Sequence, residues 1–561
     1  MQSTFWKRGT WKLWAAAVLS AGLLELPFPL AGPMPVWRSV FAWFGLVPLL
    51  WAILSPVCAD RPRPLRRGFL VGYLCGVLWY MGNCYWVRDT MLHYGDMPPM
   101  APTLLLIGYS MVLGLYFGLF GLGVVMVRRA TGSTRLALVF APFLWAALEL
   151  AAARITSVPW DQLGYSQVDN GIVSQLAPWT GVYGISFVLV GVNALLTGGL
   201  MLESRPHIGH RDRILLRAIG VLLMTAGAAG VSVPPPHPAP TATAVLIQPN
   251  LDVGDENMWS RPGEWEQHIA EFQRLAGEQC KTYIAGIPQT GAPTGEIICP
   301  PYPTHPDLVV WPESPAPFIE QNARFEQAMA SIARQAQAPL IVGNLGVDLS
   351  SEGGLHYYNS ARIEGADGTR VGRYDKIHLV PFGEYIPFQN LLTFAHKLTG
   401  RISAFTRGTD RKVFRLPTAN GEAHRYGVFI CYESVFADEV RQFAQLGAEV
   451  LVTISDDGWY GDTSAPWQHL NMARMRAIEN RRWLLRDTNN GITAVIDPYG
   501  RVRQSIPRHQ NDALPAQFAF RSDITFYTVH GDIFGWLCVL LSFGVVAWSA
   551  RKLLRAWVAH A

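Results

Sequence analysis

The sequence predicts an α+β membrane protein in which eight transmembrane helices carry one extracytoplasmic sandwich domain. Three observations predict it. Half of the 561 residues are hydrophobic, only 16% are charged and Trp is abundant at 20, which does not describe a soluble enzyme. Seven apolar stretches precede residue 233 and an eighth lies near the C-terminus. Between them runs a region of ordinary soluble patterning in which strand and helix signals alternate.

The apolar stretches cover roughly 13–30, 40–57, 68–86, 101–127, 136–153, 181–202, 214–231 and 533–550. Each is near the ~20 residues that a helix needs to span hydrocarbon. The first has the basic start of a secretion leader, but its apolar run continues to Leu30 without a convincing cleavage site, and six more spans follow. The loops set the orientation. Lys7, Arg8 and Lys12 precede the first span. Arg61, Arg63, Arg66 and Arg67 follow the second, and Arg128, Arg129 and Arg135 follow the fourth. Arg205, Arg211, Arg213 and Arg217 follow the sixth, and Arg551, Lys552 and Arg555 end the chain. The alternate short loops hold only Arg38, Arg88 and Arg154. Positive loops stay cytoplasmic, so both termini are expected inside and the large region outside, which in a bacterium is the periplasm. The expected divisions are 1–232 (seven spans), 233–528 (the periplasmic domain) and 529–561 (the eighth span and tail).

A proline-rich spacer at 233–240 leads into the soluble region. Buried-strand patterns fall at 243–249, 307–311, 339–343, 426–430, 449–455, 483–488 and 492–497. A hairpin is expected over 357–374, with the Gly365-Ala366-Asp367-Gly368 turn at its centre. Helical spacing appears at 264–276, 325–336, from 435 onward and at 465–480. This alternation implies a mixed α/β sandwich, with no internal repeat and no low-complexity tract.

Cys431 falls where the strand 426–430 should end and a helix should begin. Backbone N–H groups and the positive end of a helix favour a thiolate and a developing oxyanion there. By itself such a cysteine is more often a small core residue. Glu313, in Trp311-Pro312-Glu313-Ser314, follows another buried strand, a place where a carboxylate is usually just solvated. Lys376 and Glu384 flank an apolar loop punctuated by Pro381 and Gly383. Together the three local contexts make a nucleophilic set. Glu313 can take and return the thiol proton, Lys376 can stabilise thiolate and oxyanion, and Cys431 can hold an acyl group as a thioester.

Trp-Pro-Glu at 311–313, Lys-Ile-His-Leu-Val-Pro-Phe-Gly-Glu at 376–384 and Cys-Tyr-Glu at 431–433 resemble the nitrilase (carbon–nitrogen hydrolase) superfamily and its Glu-Lys-Cys triad. Eight spans around such a domain resemble the bacterial apolipoprotein N-acyltransferase family. Gly164-Tyr-Ser-Gln167, Ser455-Asp-Asp-Gly-Trp-Tyr-Gly461, Pro466-Trp-Gln-His-Leu470 and Met472-Ala-Arg-Met-Arg-Ala477 extend the likeness over essentially the whole chain. The resemblance implies a periplasmic nitrilase-like αββα sandwich on a membrane base. It implies transfer of a fatty acyl chain from a phospholipid, typically phosphatidylethanolamine, through Cys431 to the α-amino group of a diacylglyceryl-modified apolipoprotein. It also implies an inner-membrane location and no cofactor or metal. By motif position, Glu384 matches the family's additional essential Glu, Tyr432 and Glu433 match the pair after the nucleophile, and Trp259 matches a Trp that shapes the entrance.

Two other readings share these residues. One is a membrane-tethered amidase that passes the thioester to water; the other is a lipoprotein-binding scaffold without catalysis, against which the intact triad argues. The net charge of +4 and the lack of a long basic run give no nucleic-acid footprint. A monomer is expected. Seven cysteines without regular spacing do not make a disulfide framework, although Cys280 and Cys299 could pair within an apparent insert at 277–306. Cys58, Cys75, Cys84 and Cys538 are expected to be packing residues. Glu149, inside the fifth span, is either functional or a paired structural carboxylate. The segment 388–400 has helical apolar spacing and is either a gating arm on the bilayer or a packed helix.

Overall fold

The computed structural model describes residues 10–95, 97–201, 210–253, 263–277, 284–285, 305–313, 318–349, 354–381, 383–385 and 405–558. Trp259, the 388–400 segment, Cys280 and Cys299 lie outside the described residues.

Among these residues, five segments are long and apolar enough to cross a membrane: Val36–Leu54, Met100–Thr131, Thr134–Ile155, Val182–Met201 and Ile533–Val558. Three further expected spans are helices that are shorter or more polar: Trp11–Glu25, Pro64–Asn83 and His210–Ala229. The first stops early because Pro27 and Pro29 follow it. The second opens on Arg66 and Arg67 and holds Gly68, Gly72, Gly76 and Gly82. The third opens on His210-Arg-Asp-Arg213.

The expected span at 40–57 is broken in two. A 3-10 helix at Val36–Trp43 gives way to an α-helix at Val47–Leu54, with Pro48 in its first turn. A break in a bundle interior needs partners for the freed backbone groups. Asn193 supplies them: its Oδ1 accepts from Leu46 N at 2.9 Å and its Nδ2 donates to Ala42 O at 3.0 Å.

The glycines of Pro64–Asn83 let it meet Met100–Thr131 backbone to backbone. A Cβ at Gly72 would lie 2.3 Å from Phe117 O, and one at Gly121 would lie 2.2 Å from Gly68 O. Small residues four apart allow this approach between membrane helices. The C-terminal helix Ile533–Val558 returns to pack on Thr134–Ile155 and Met100–Thr131.

The soluble region holds two sheets. Its strands are β1 (Ala242–Gln248), β2 (Ile284–Ala285), β3 (Leu308–Val310), β4 (Leu340–Leu349), β5 (Leu355–Glu364), β6 (Arg370–Asp375), β7 (Val413–Pro417), β8 (Ala423–Ile430), β9 (Val450–Ser455), β10 (Leu484–Thr488), β11 (Ala494–Ile496), β12 (Val502–Ser505) and β13 (Asp512–Phe518). One sheet has the order β13-β1-β3-β4-β5-β6 and the other β2-β12-β11-β10-β9-β8-β7. The central pairs β1/β3, β3/β4, β8/β9 and β9/β10 are parallel.

Period-two alternation divides the first sheet between two cores. Ala244, Leu246, Leu308, Val310 and Ile341 face the second sheet. Val245, Ile247, Val309, Trp311 and Val342 face the helices Glu264–Leu275 and Ala323–Ala336. The helices Ala437–Gln445 and Ala465–Asn480 pack against the second sheet, which completes helix, sheet, sheet, helix. Four strands not read from the sequence, β2, β7, β12 and β13, flank this framework. In β13, Pro515 interrupts the strand pattern, although the strand pairs along the full length of β1.

Ala465–Asn480 joins the two halves of the molecule. Trp467, Leu470, Ala473 and Ala477 belong to the sandwich core, while Ala465, Met472, Met475 and Ile478 belong to the membrane-helix core. Its Gln468 Oε1 accepts from Trp160 Nε1 at 2.8 Å, and its Arg476 Nη2 donates to Tyr165 OH at 2.9 Å. At the end of Thr134–Ile155, Arg154 bridges Asp532 at 2.6 Å and Asp438 at 3.0 Å.

Candidate active site

Three strand ends bring the site together. Glu313 follows β3, Lys376 follows β6 and Cys431 follows β8. The three are buried, with exposures of 6%, 1% and 6%. Lys376 Nζ donates to Glu313 Oε1 and to Glu384 Oε1, each at 2.9 Å. Asn359 Nδ2, on β5, donates to the same two oxygens at 2.7 Å each. Glu313 Oε2 accepts from Asp456 N at 2.9 Å, and Glu384 Oε2 from Val380 N at 2.8 Å. Two carboxylates thus share one ammonium and one amide.

These contacts set the charges. Burial works against ionised Glu313, but Lys376 and the hydrogen bonds from Lys376, Asn359 and the Cys431 thiol hold its carboxyl below the usual range. Burial likewise opposes the charge on Lys376, and Glu313 and Glu384 outweigh it, raising the ammonium well above its usual value. Burial, and then the charge of Glu313, push the Cys431 thiol well above its usual range despite Lys376. The resting site is therefore a neutral thiol beside an ionised carboxylate and an ammonium. Such an arrangement can work by general-base removal of the thiol proton rather than through a standing thiolate.

Cys431 opens the 3-10 turn Cys431–Val435 with φ +50°, in the left-handed region. A residue with a side chain stays there only when its surroundings hold it. Glu433 is one holder. Its Oε2 accepts from Ile430 N at 2.7 Å, and its Oε1 accepts from Tyr374 OH at 2.8 Å, Ile377 N at 2.6 Å and His378 N at 3.2 Å. It ties the end of β8 to the segment that carries Lys376. The donors to Glu433 are main-chain amides and a phenol rather than a cation. Tyr432 OH donates to Ser157 O at 3.0 Å and so joins the turn to the loop after Thr134–Ile155.

Glu149 Oε1 accepts from Trp145 Nε1 and Leu163 N, each at 2.8 Å, so this oxygen pins the loop that follows its helix. Cys58, Cys75, Cys84 and Cys538 are buried and free.

Sequence reasoning missed Asn359. A single Asn inside a hairpin strand carries no motif signal, and its role appears only when β5 lies beside the Lys376 segment. Asp457, His469 and Arg486 were also not singled out. Their side chains form a fully buried cluster behind Cys431, in which Arg486 Nη2 donates to Asp457 Oδ2 at 2.5 Å.

Comparison with known proteins adds to this geometry. Residues 20–195 match a family model described as the apolipoprotein N-acyltransferase N-terminal domain, and residues 248–518 match one described as carbon-nitrogen hydrolase. The chain is 34% identical over 543 residues to an apolipoprotein N-acyltransferase of Geobacter metallireducens, covering 96% of this chain and 95% of that one. It is 29% identical to the enzyme of that name from Photobacterium profundum, covering 91% and 92%. It is also 29% identical to the one from Brucella melitensis, covering 88% of each.

Proposed function

The chain belongs to the apolipoprotein N-acyltransferase family, and from that premise we infer that it acylates lipoproteins at their N-terminus through a thioester on Cys431. The observation that carries the reading is Lys376 held between Glu313 and Glu384 beside a buried, left-handed Cys431. The donor is a phospholipid. The acceptor is the free α-amino group of a diacylglyceryl-modified N-terminal Cys.

In the first half-reaction, Cys431 Sγ attacks the ester carbonyl of the donor as Glu313 takes the thiol proton. Lys376 faces the oxyanion. Collapse of the tetrahedral intermediate breaks the ester C–O bond, and Glu313 returns the proton to the departing lysophospholipid alkoxide. In the second, the neutral amine attacks the thioester carbonyl. Glu313 takes a proton from nitrogen and delivers it to the Cys431 thiolate as the C–S bond breaks. A thioester is already activated toward amines, so the balance closes without a nucleotide or metal.

Both substrates are lipids, and holding the site on membrane helices raises their effective concentration at it. The loop charges support eight spans in the bacterial inner membrane with the 233–528 domain in the periplasm. A single chain supplies the whole triad, which fits a monomer. Trp259 is assigned to the entrance by motif position alone.

The test is intact-protein mass spectrometry after incubation with defined phospholipids. The expected result is one acyl adduct, absent from Cys431→Ala, that a diacylglyceryl-modified peptide discharges to acylated peptide. Release of free fatty acid with no acylated peptide would favour the hydrolase reading. No adduct under any donor would overturn the thioester route.

A further inference from the structure

A second constellation lies beneath the nucleophile, and the acyl-transfer steps above leave it unused. His469, on the helix Ala465–Asn480, places Nδ1 3.0 Å from Asp457 Oδ1 and Nε2 2.6 Å from Ser434 Oγ. That is the spacing of a Ser-His-Asp hydrolase set. Here, however, all three residues are 0% exposed, so no ester or amide can approach Ser434 Oγ. A hydroxyl sealed from substrate is not a nucleophile.

What the set does touch is the main chain of Cys431. His469 Nε2 lies 3.1 Å from the Cys431 carbonyl oxygen. Glu433 grips one flank of this left-handed turn through Ile430 N, and His469 grips the other. The imidazole is itself fixed. Trp160 stacks on it with ring centroids 6.1 Å apart, and Tyr460 meets it edge-on at the same separation. Arg486 Nη2 is 3.1 Å from Nδ1. Asp457 is supplied independently, by Arg486 on Oδ2 at 2.5 Å and by the Ser455 hydroxyl on Oδ1 at 2.8 Å. Burial and the charge of Arg486 keep the ring neutral, against the pull of Asp457. Nδ1 faces the Asp457 carboxylate and the Arg486 guanidinium, and Nε2 faces the Ser434 hydroxyl and the Cys431 carbonyl, so the ring spans from the Asp457–Arg486 pair to the turn.

We propose that His469 is a positioning residue whose Nε2 edge, set against the Ser434 hydroxyl and the Cys431 carbonyl, braces the strained turn that aims the thiol at Glu313, while Asp457 and Arg486 hold the ring. The proposal rests on the acyl-transfer reading of Cys431. It assigns no acyl chemistry to Ser434.

Glutamine and asparagine separate this role from simple core filling. His469→Gln can present an amide N–H where Nε2 stood. His469→Asn reaches only as far as Nδ1. The measurement is the rate of acyl-adduct formation on Cys431 of the full chain in nanodiscs, read by intact mass over a range of phosphatidylethanolamine contents, with thermal unfolding of each variant alongside. His469→Asn should slow acylation at saturating lipid by roughly ten-fold or more, with the half-saturating lipid content unchanged, because small misplacements of a reacting group cost rate rather than binding. His469→Gln should recover most of that loss at a similar melting temperature. Equal rates in the two variants, whether both high or both low, would overturn the proposal, as would failure of both to fold. A wild-type protein that forms no adduct on Cys431 would instead remove the acyl-transfer reading, and this inference with it.

Discussion

Asn359 Nδ2 lies 2.7 Å from Glu313 Oε1, and the same nitrogen lies 2.7 Å from Glu384 Oε1. One uncharged amide thereby holds two carboxylates at the spacing that Lys376 neutralises. Asn359→Ala should lower the acylation rate by about ten-fold, the usual scale for removing a charge-assisted hydrogen bond. Asn359→Asp should be worse, because a third carboxylate would face two others. Single-turnover acylation followed by mass spectrometry reads both. An aspartate variant at the wild-type rate would contradict the arrangement.

Glu313→Gln and Lys376→Met separate the base from the cation. Glu313→Gln removes the proton acceptor and should reduce acylation by about 10²–10⁴-fold. Lys376→Met leaves the buried Glu313 and the half-buried Glu384 without their shared cation, so it should lose stability as well as rate, by on the order of 3 kcal/mol. Differential scanning of the two purified variants shows the contrast. Equal melting temperatures would mean that the pair is not coupled as the 2.9 Å contacts imply.

The pH profile of the first half-reaction follows from the direction of each shift. Glu313 sits below its ordinary 4.5, so the base stays ionised as the pH falls toward that value. Cys431 sits well above its ordinary 9.0, so thiolate does not accumulate near neutrality. Adduct formation should then be flat from about pH 5 to 9 and fall only on the acid side as Glu313 protonates. A rate that climbs through pH 8–9 would point to a free thiolate mechanism.

Arg154 links the end of Thr134–Ile155 to Asp532, before the C-terminal helix, and to Asp438 of the sandwich. Arg154→Ala leaves the buried Asp532 with Tyr527 OH as a remaining donor at 2.8 Å. Because Arg154 is partly exposed, the expected loss is about 2 kcal/mol, below the range for a fully buried pair. Thermal unfolding in detergent tests it; an unchanged transition would mean that the three elements are held by packing alone.

Gly72 faces Phe117 O so closely that any Cβ must part the helices. Gly72→Val should therefore sharply reduce the yield of folded protein, whereas substitution of Gly108, which has nothing within 4 Å, should not. Monodisperse yield after detergent extraction separates the two.

Much of this was legible in the sequence, for identifiable reasons. The helix at 465–480 and the strand ends before Cys431 and Lys376 were readable because each pairs a clear apolar period with a polar break. The expected span at 40–57 is present as Val36–Leu54, but its internal break was not foreseen. Hydropathy averages over Phe44–Leu46, where the helix breaks, and the compensating Asn193 lies far along the chain. Strands β2, β7, β12 and β13 were missed because flanking strands need little apolar alternation, β2 is two residues long and Pro515 masks β13. The triad could be assembled because each member has its own local motif. Asn359 and His469 could not, since what they do depends on elements distant in sequence meeting in space.

One face of Ala465–Asn480 lies in the sandwich and the other among the membrane helices, with neither face left to solvent. Excising residues 233–528 would bare a strip of Met472, Met475 and Ile478 on a water-facing surface, an adhesive scar that invites self-association. The sandwich and the apolar helices thus share the burial of this one helix. Detaching the chemistry from the bilayer would require redesigning that helix, not merely cutting the chain.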